Sequence, residues 1–380
     1  MNKALIVTSV ASMVDQFLLP SMFLLQNMGY EVSVACNFEK GSTCSADRVD
    51  QLKSILNDRK IPFFHIDFER NVLRIFKNRN AYKQLLDIVS DNEFSLIHCH
   101  SPIGGLLGRL AARKTEAQVF YTAHGFHFYK GAPLKNWLCY YPVEKICSHF
   151  TDNLITINKE DYELAKSKFK AGAAHYLPGV GVDLLRFKDV QVDRNAKRQE
   201  IGVPEDAFLM LSVGELNDNK NHQVIIKALA KLNNPDVHYA IAGVGDKKEY
   251  LISLANELGV AEQLHLLGYR NDIPELNHIS DLCCFPSIRE GLGLAPLESM
   301  VCGLPVVAAE NRGTREFVIN GENGFLCKYD DVDGFTNSIA KVIDDTELRE
   351  KLSNQAVISV KKFHLENVLN VLRDIYKENI

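Results

Sequence analysis

The chain has 380 residues, 46% of them apolar and 24% charged, and a formal net charge of −5. Such a length exceeds one ordinary core and predicts two or three domains, while the balanced composition excludes disordered, collagen-like and disulfide-scaffold proteins. Residues 1–180 carry 21 Lys and Arg against 17 Asp and Glu, and residues 181–380 carry 22 against 31; so small a basic excess, with no accompanying motif, excludes a nucleic-acid surface.

In chain order, Met1–Val10 holds one Lys and an apolar run too short to span a membrane, so Ala4–Val10 reads as a first strand. Thr8–Phe17, which overlaps its end, is read as a loop whose small residues admit close approach of a ligand. Further strands are expected over Glu31–Cys36, Ile61–Ile66, Leu96–Cys99, Val119–Ala123, Leu154–Ile157 and His175–Leu177. The segment Arg70–Lys83 interleaves Arg70, Arg74, Lys77, Arg79 and Lys83 with apolar side chains. That pattern fits an anionic bilayer surface and equally a core helix with a solvated basic face. Lys130–Phe150, with Trp137, Tyr140 and Tyr141, is a second candidate for lipid contact.

Two strand ends in this half carry histidines. His98 and His100 share one strand face by their i, i+2 spacing, but no third ligand is evident, so His100 and Ser101 are expected to line a cleft rather than hold a metal. The strand Val119–Ala123 ends at His124-Gly125, and an isolated strand-end His is more often structural than functional. Nine cysteines, odd in number and without a Cys-x-x-Cys pair, imply reduced thiols in a cytosolic protein with no zinc site.

The glycine-bearing stretch Pro178–Asp183 has the look of a hinge, and beyond it strands are expected over Phe208–Val213, Val237–Ala242, Leu264–Leu267, Leu282–Phe285, Val306–Ala308 and Gly324–Cys327. Strands alternating with helix-period segments in both halves predict parallel βαβ units twice over. After the first of these strands comes the polar turn Gly214–His222 with Lys220, then a helix Gln223–Leu232. Asp330–Asp333 precedes the helical run Gly334–Ile343 and reads as a cap, not a metal site. Between them lies the most informative stretch, Phe285–Gly303. Here Glu290 falls on a loop, Gly291 and Gly293 let the backbone approach a ligand, and Pro296 suits the first turn of a helix Leu294–Cys302. Glu298 then lies one turn in, and the helix start favours a phosphate.

The spacing Glu290-x7-Glu298, followed by Gly303-Leu-Pro-Val-Val307, resembles the retaining glycosyltransferases of family 4. The resemblance covers nearly the whole chain. It implies the GT-B architecture, an α/β protein of two Rossmann-like domains facing across a cleft. Residues 1–182 would bind the acceptor in a cleft lined by His100 and Ser101, residues 183–364 the nucleotide-sugar donor, and a last helix, 365–380, would pack back on the first domain. By the same resemblance Glu290 contacts the transferred sugar, Glu298 the ribose, and Lys220 the diphosphate. Gly214, Asn217, Gly243 and the turn Gly291, Leu292, Gly293 and Leu294 would border the phosphates, with Arg270 at the base. A second diphosphate-binding cation is expected where Glu215 stands. His124 corresponds to a histidine that faces the reacting sugar, which makes Lys220, Glu290 and His124 the catalytic candidates.

The resemblance is to the members that assemble surface polysaccharides, capsular and extracellular. It implies a uridine diphosphate (UDP) sugar as donor, a glycan on polyprenyl diphosphate as acceptor, no metal or other cofactor, and a cytoplasmic protein peripheral to an anionic membrane surface. A nucleotide-sugar epimerase of the same fold and a non-catalytic glycosyltransferase subunit are the alternatives.

Overall fold

Apolar runs of three to eight residues form thirteen strands among the described residues of the computed structural model, which are 2–40, 44–69, 75–188 and 190–379. The chain splits into two compact units, Met1–Val180 with Glu366–Ile380, and Gly181–Leu365. The first contains β1 Lys3–Val10, β2 Glu31–Asn37, β3 Phe63–His65, β4 Leu96–His100, β5 Gln118–Ala123, β6 Asn153–Thr156 and β7 Ala173–Tyr176. The second contains β8 Phe208–Val213, β9 Val237–Ala242, β10 Leu264–Gly268, β11 Leu282–Phe285, β12 Val306–Ala309 and β13 Gly324–Cys327. Strand orders are β3-β2-β1-β4-β5-β6-β7 and β10-β9-β8-β11-β12-β13, and the ladders are parallel. The expected pair of βαβ sheets is what the structure contains.

Parallel sheets need both faces covered, which is why their central strands read as unbroken apolar runs. In the first unit one core gathers Ile6, Val34 and Phe120 beneath Val368, Leu372, Ile375 and Tyr376 of the last helix, Leu365–Asn379. Burying Val368, Leu372 and Ile375 is worth about 1.5–3 kcal/mol each as an upper estimate, so this helix completes the sheet's cover. The opposite face packs Val7, Ile97 and Tyr121 against Leu85 and Ile103. In the second unit Met210, Tyr239 and Cys284 pack beneath the amphipathic helices Gln223–Leu232 and Val332–Asp344. The latter starts as expected, with Asp331 accepting a hydrogen bond from the Gly334 N–H at 2.8 Å.

Both sheets reverse strand order once, between β1 and β4 and between β8 and β11. Loops leaving the carboxyl ends of such a pair diverge and leave a crevice, the usual place for a ligand in this kind of sheet. Those loops carry Ser101 in the first unit, and Lys220 and Glu290 in the second.

One expectation fails here. Thr8–Phe17 is not a loop: β1 runs to Val10 and helical structure begins at Ala11, continuing through a wider turn at Val14–Leu18 to Asn27. Small Ala11 and Ser12 permit the immediate change of direction, and buried Val14 and Leu18 hold it down. Residues 70–74 of the proposed lipid-binding segment, including Arg70 and Arg74, lie outside the described residues; Arg79 and Lys83 lie on the helix Ile75–Asp91.

Candidate active site

In the second unit two loops are stitched together by asparagines. Asn217 Oδ1 accepts from the Lys220 N–H at 3.0 Å, and Asn221, in the left-handed region at φ 53°, donates from Nδ2 to the carbonyls of Pro286 and Tyr329. Asn219 receives the Ile288 N–H at 2.8 Å and donates to the Arg289 carbonyl at 3.1 Å. These bonds hold the turn after β8 against the loop after β11. Lys220 Nζ consequently meets Glu290 Oε1 at 2.7 Å, both side chains being mostly shielded from solvent. A third turn braces the loop from behind, where Asn311 donates to the Ser287 carbonyl at 2.8 Å and Arg312 Nε to the Glu290 carbonyl at 3.3 Å.

Glycines allow these turns to touch. A Cβ on Gly243 would stand 1.9 Å from the Gly214 carbonyl oxygen, and one on Gly313 would stand 2.6 Å from the Leu292 carbonyl oxygen. Gly293, at φ 99°, turns the chain into the helix Leu294–Val301, whose start carries no side-chain cap. Exposed N–H groups at such a start suit an anion. Glu298 lies one turn further on, and burial pushes its carboxyl up to about 7, opposed only in part by Arg186. A carboxyl so desolvated gains when a ligand brings hydrogen-bond donors to it.

The remaining expected residues of this unit are placed differently. Arg270 is engaged by Asp272 and by Glu200 at 2.5 Å, so a base contact from its guanidinium requires leaving both carboxylates. Asn217 spends its side chain on the turn itself, donating to Glu215 Oε2 at 2.9 Å while its oxygen caps Lys220. Glu215 is exposed, an acid at the position where a second cation is expected. The buried cation beside Glu290 is Arg312, which the sequence reading passed over; the turn-forming run Asn311-Arg312-Gly313-Thr314 was its only signal.

In the first unit β4 and β5 pair with His98 opposite Phe120 and His100 opposite Thr122, which brings their carboxyl ends together. His98 is saturated: Nδ1 pairs with the Tyr376 hydroxyl at 2.7 Å and Nε2 with Thr122 Oγ1 at 2.8 Å. His100 Nδ1 meets His124 Nε2 at 3.1 Å, and the His98 and His100 rings lie 4.2 Å apart. Burial lowers all three histidines, His98 to about 3 and His124 to about 4, so they are neutral at physiological pH.

Ser101, at φ 61°, accepts the Ser9 N–H on Oγ at 3.1 Å. Ser101 and His124 border a cavity of about 180 Å³, together with His127, Tyr140 and Glu144. His100 borders a smaller, mostly apolar space beside the last helix. Glu144 is held by Arg109 at 2.8 Å and by the Tyr121 hydroxyl at 3.2 Å. Among the described residues no group of three or more His, Cys, Asp or Glu is arranged to hold a metal ion.

Residues 193–357 match the family described as glycosyl transferases group 1, and residues 10–158 match the family described as glycosyl transferase 4-like. The chain is 38% identical over 367 residues to "Putative glycosyltransferase EpsD" of Bacillus subtilis (strain 168), covering 95% of this chain and 92% of that one. It is 29% identical over 361 residues to the UDP-Gal:alpha-D-GlcNAc-diphosphoundecaprenol alpha-1,3-galactosyltransferase of Escherichia coli, covering 93% and 90%. Among solved structures, Anabaena Alr3699/HepE in complex with UDP-glucose superposes with a TM-score of 0.81 at 20% identity over both whole chains, and WaaG of lipopolysaccharide biosynthesis with 0.73 at 17% over 98% and 99%. The chain belongs to the group 1 glycosyltransferase family. It has the GT-B fold and is a glycosyltransferase.

Proposed function

We propose that the chain is a retaining glycosyltransferase that takes a sugar from a UDP-sugar and adds it to a glycan carried on polyprenyl diphosphate, in the assembly of an extracellular or capsular polysaccharide. The observation that carries this reading is the meeting of Lys220 and Glu290 at the strand-order reversal of the second unit, beside an uncapped helix start and one turn from Glu298. A nucleotide sugar offers each part a ligand: a diphosphate for Lys220 and the helix start, sugar hydroxyls for Glu290, and ribose hydroxyls for Glu298. Cleavage of the bond between the sugar's anomeric carbon and the diphosphate leaves an oxocarbenium-like centre. Catalysis is then mainly stabilisation of the departing diphosphate and positioning: an acceptor hydroxyl attacks the anomeric carbon from the face the diphosphate leaves, passes its proton to the departing diphosphate oxygen, and so retains configuration.

The relatives support the substrate classes. The Escherichia coli relative is named for UDP-galactose and a diphosphoundecaprenol-linked sugar, and the HepE structures are titled as complexes with UDP and UDP-glucose. In this reading the acceptor sugar enters the cavity bordered by Ser101, His127, Tyr140 and Glu144, and His124 meets the donor sugar. Lys220 and backbone N–H groups carry the diphosphate charge, so no metal cofactor is required.

The test is to screen nucleotide sugars by calorimetry, then incubate the best binder with membrane-extracted lipid-linked oligosaccharide. Transfer of label to lipid is the expected result. Conversion of the nucleotide sugar without acceptor would establish an epimerase. Binding of none would favour a non-catalytic subunit, the reading to which Glu215 lends weight. Activity in excess chelator is expected, and a strict manganese requirement would overturn the metal-free account.

A further inference from the structure

We infer that His100 is a positioning residue that fixes the tautomer of His124, keeping its proton on Nδ1 so that His124 presents a hydrogen-bond donor, and not a lone pair, to its ligand. The inference rests on the proposed role of His124 and goes beyond it. A neutral imidazole has one N–H and one lone pair, so the His100 Nδ1···His124 Nε2 bond has two possible senses.

If His124 donates, its Nδ1 is bare and His100 must carry its proton on Nε2. That atom is buried and has no hydrogen-bond partner among the described residues, and His100 itself is 3% exposed. A buried N–H without an acceptor is among the rarest defects in folded proteins, whereas an unfilled acceptor is better tolerated. If His100 donates, its orphaned Nε2 is only a lone pair, and His124, accepting at Nε2, must hold its proton at Nδ1. The second sense is therefore the stable one.

The neighbouring His98 does not supply the missing partner. His98, stacked on His100, has both nitrogens engaged by Tyr376 and Thr122, so it cannot rescue His100 Nε2. Burial disfavours the doubly protonated form of either ring in the pair. A donor at His124 suits a hydroxyl oxygen or a developing anionic oxygen on the sugar; a lone pair would demand the hydroxyl proton instead.

Nitrogen-15 spectra of the full-length protein labelled in histidine read the tautomer directly, without any ligand. Wild type is expected to show His124 protonated on Nδ1. In His100→Leu, which removes the donor, His124 should shift to the Nε2–H form that free imidazole side chains favour. His100→Asn places an amide N–H near the lost Nδ1 and should restore the Nδ1–H form. Turnover should fall about tenfold to a hundredfold in His100→Leu, recover in His100→Asn, and leave UDP affinity unchanged in both. Wild-type His124 protonated on Nε2, or a His124 signal identical in folded wild type and His100→Leu, would overturn the inference. Should His100→Leu not fold, the wild-type spectrum alone decides. Failure of the donor-sugar reading would instead appear as Nδ1–H at His124 with no loss of turnover in His124→Ala, so the two failures are distinguishable.

Discussion

Lys220 and Glu290 neutralise one another, and this shapes what single substitutions do. Glu290→Gln removes the partner that occupies Lys220, so bare UDP should bind as well as wild type or tighter, by up to about 1 kcal/mol, while sugar transfer collapses. Calorimetry with UDP beside a turnover assay checks both halves, and a weaker UDP complex would place Glu290 on the nucleotide. For Glu298 the sign follows from its raised carboxyl, near 7 in the folded protein against an ordinary value of 4.5. Between those values the folded state binds more protons than the unfolded one, so ligand-free stability falls as pH rises through that window. Ribose hydroxyls prefer the ionised carboxylate, so nucleotide affinity should rise as pH passes through 7. Comparing UDP-sugar affinity in wild type and Glu298→Gln from pH 5.5 to 8.5 cancels the phosphates' own titration; parallel curves would remove Glu298 from the ribose. At pH 8 the substitution should cost about 1–3 kcal/mol of binding.

At the scale of elements, close approach of turns and burial of charge are the exposed points. Gly243→Ala pushes a methyl into the Gly214 carbonyl and should destabilise the second unit by about 1–3 kcal/mol in urea titration, with nucleotide affinity falling because the β8 turn moves. Glu144→Ala should cost about 3–5 kcal/mol, because Arg109, 1% exposed, keeps its charge without a carboxylate. A loss below 1 kcal/mol would mean that water reaches Arg109. The strands themselves were legible, since fully buried parallel strands announce themselves as apolar runs; β8, β9, β11 and β13 begin and end where those runs do. The first turn was not, because Thr8–Phe17 lacks the regular spacing of an amphipathic helix, Thr8 to Ser12 being buried one after another. Sequence spacing could place Glu290 and Glu298 one loop and one helical turn apart, but the contact of Glu290 with Lys220 is made by asparagines 70 residues away in the chain. The same holds for Tyr376, whose bond to His98 spans 278 positions. Arg312 escaped notice because nothing in an isolated turn says which loop it braces.

For the molecule as a whole, the described residues offer one surface that combines exposed apolar side chains with cations. Leu134, Leu138 and Ile146 are 73%, 68% and 60% exposed, an apolar set on two short helices. Lys130, Lys135 and Lys145 are exposed beside them, and the one acid in that stretch, Glu144, is buried against Arg109. Apolar side chains ringed by cations fit an anionic interface, each near-surface Lys adding about 1 kcal/mol. Leu134→Ser, Leu138→Ser and Ile146→Ser together should therefore abolish sedimentation with anionic vesicles while leaving UDP affinity intact. Unchanged sedimentation would return attention to Arg79 and Lys83.

The helix Leu365–Asn379 has a consequence for how the protein is made. The last strand of the first sheet is complete at Tyr176, yet the side chains that roof one of its faces are not synthesised for nearly two hundred residues more. At ordinary ribosomal rates that is roughly 10–40 s during which Ile6, Val34 and Phe120 wait without part of their cover. The whole of the second unit emerges in that interval. The first half of the chain to be translated is thus the last to reach its final packing, and it is the half that a nascent-chain chaperone would need to shield.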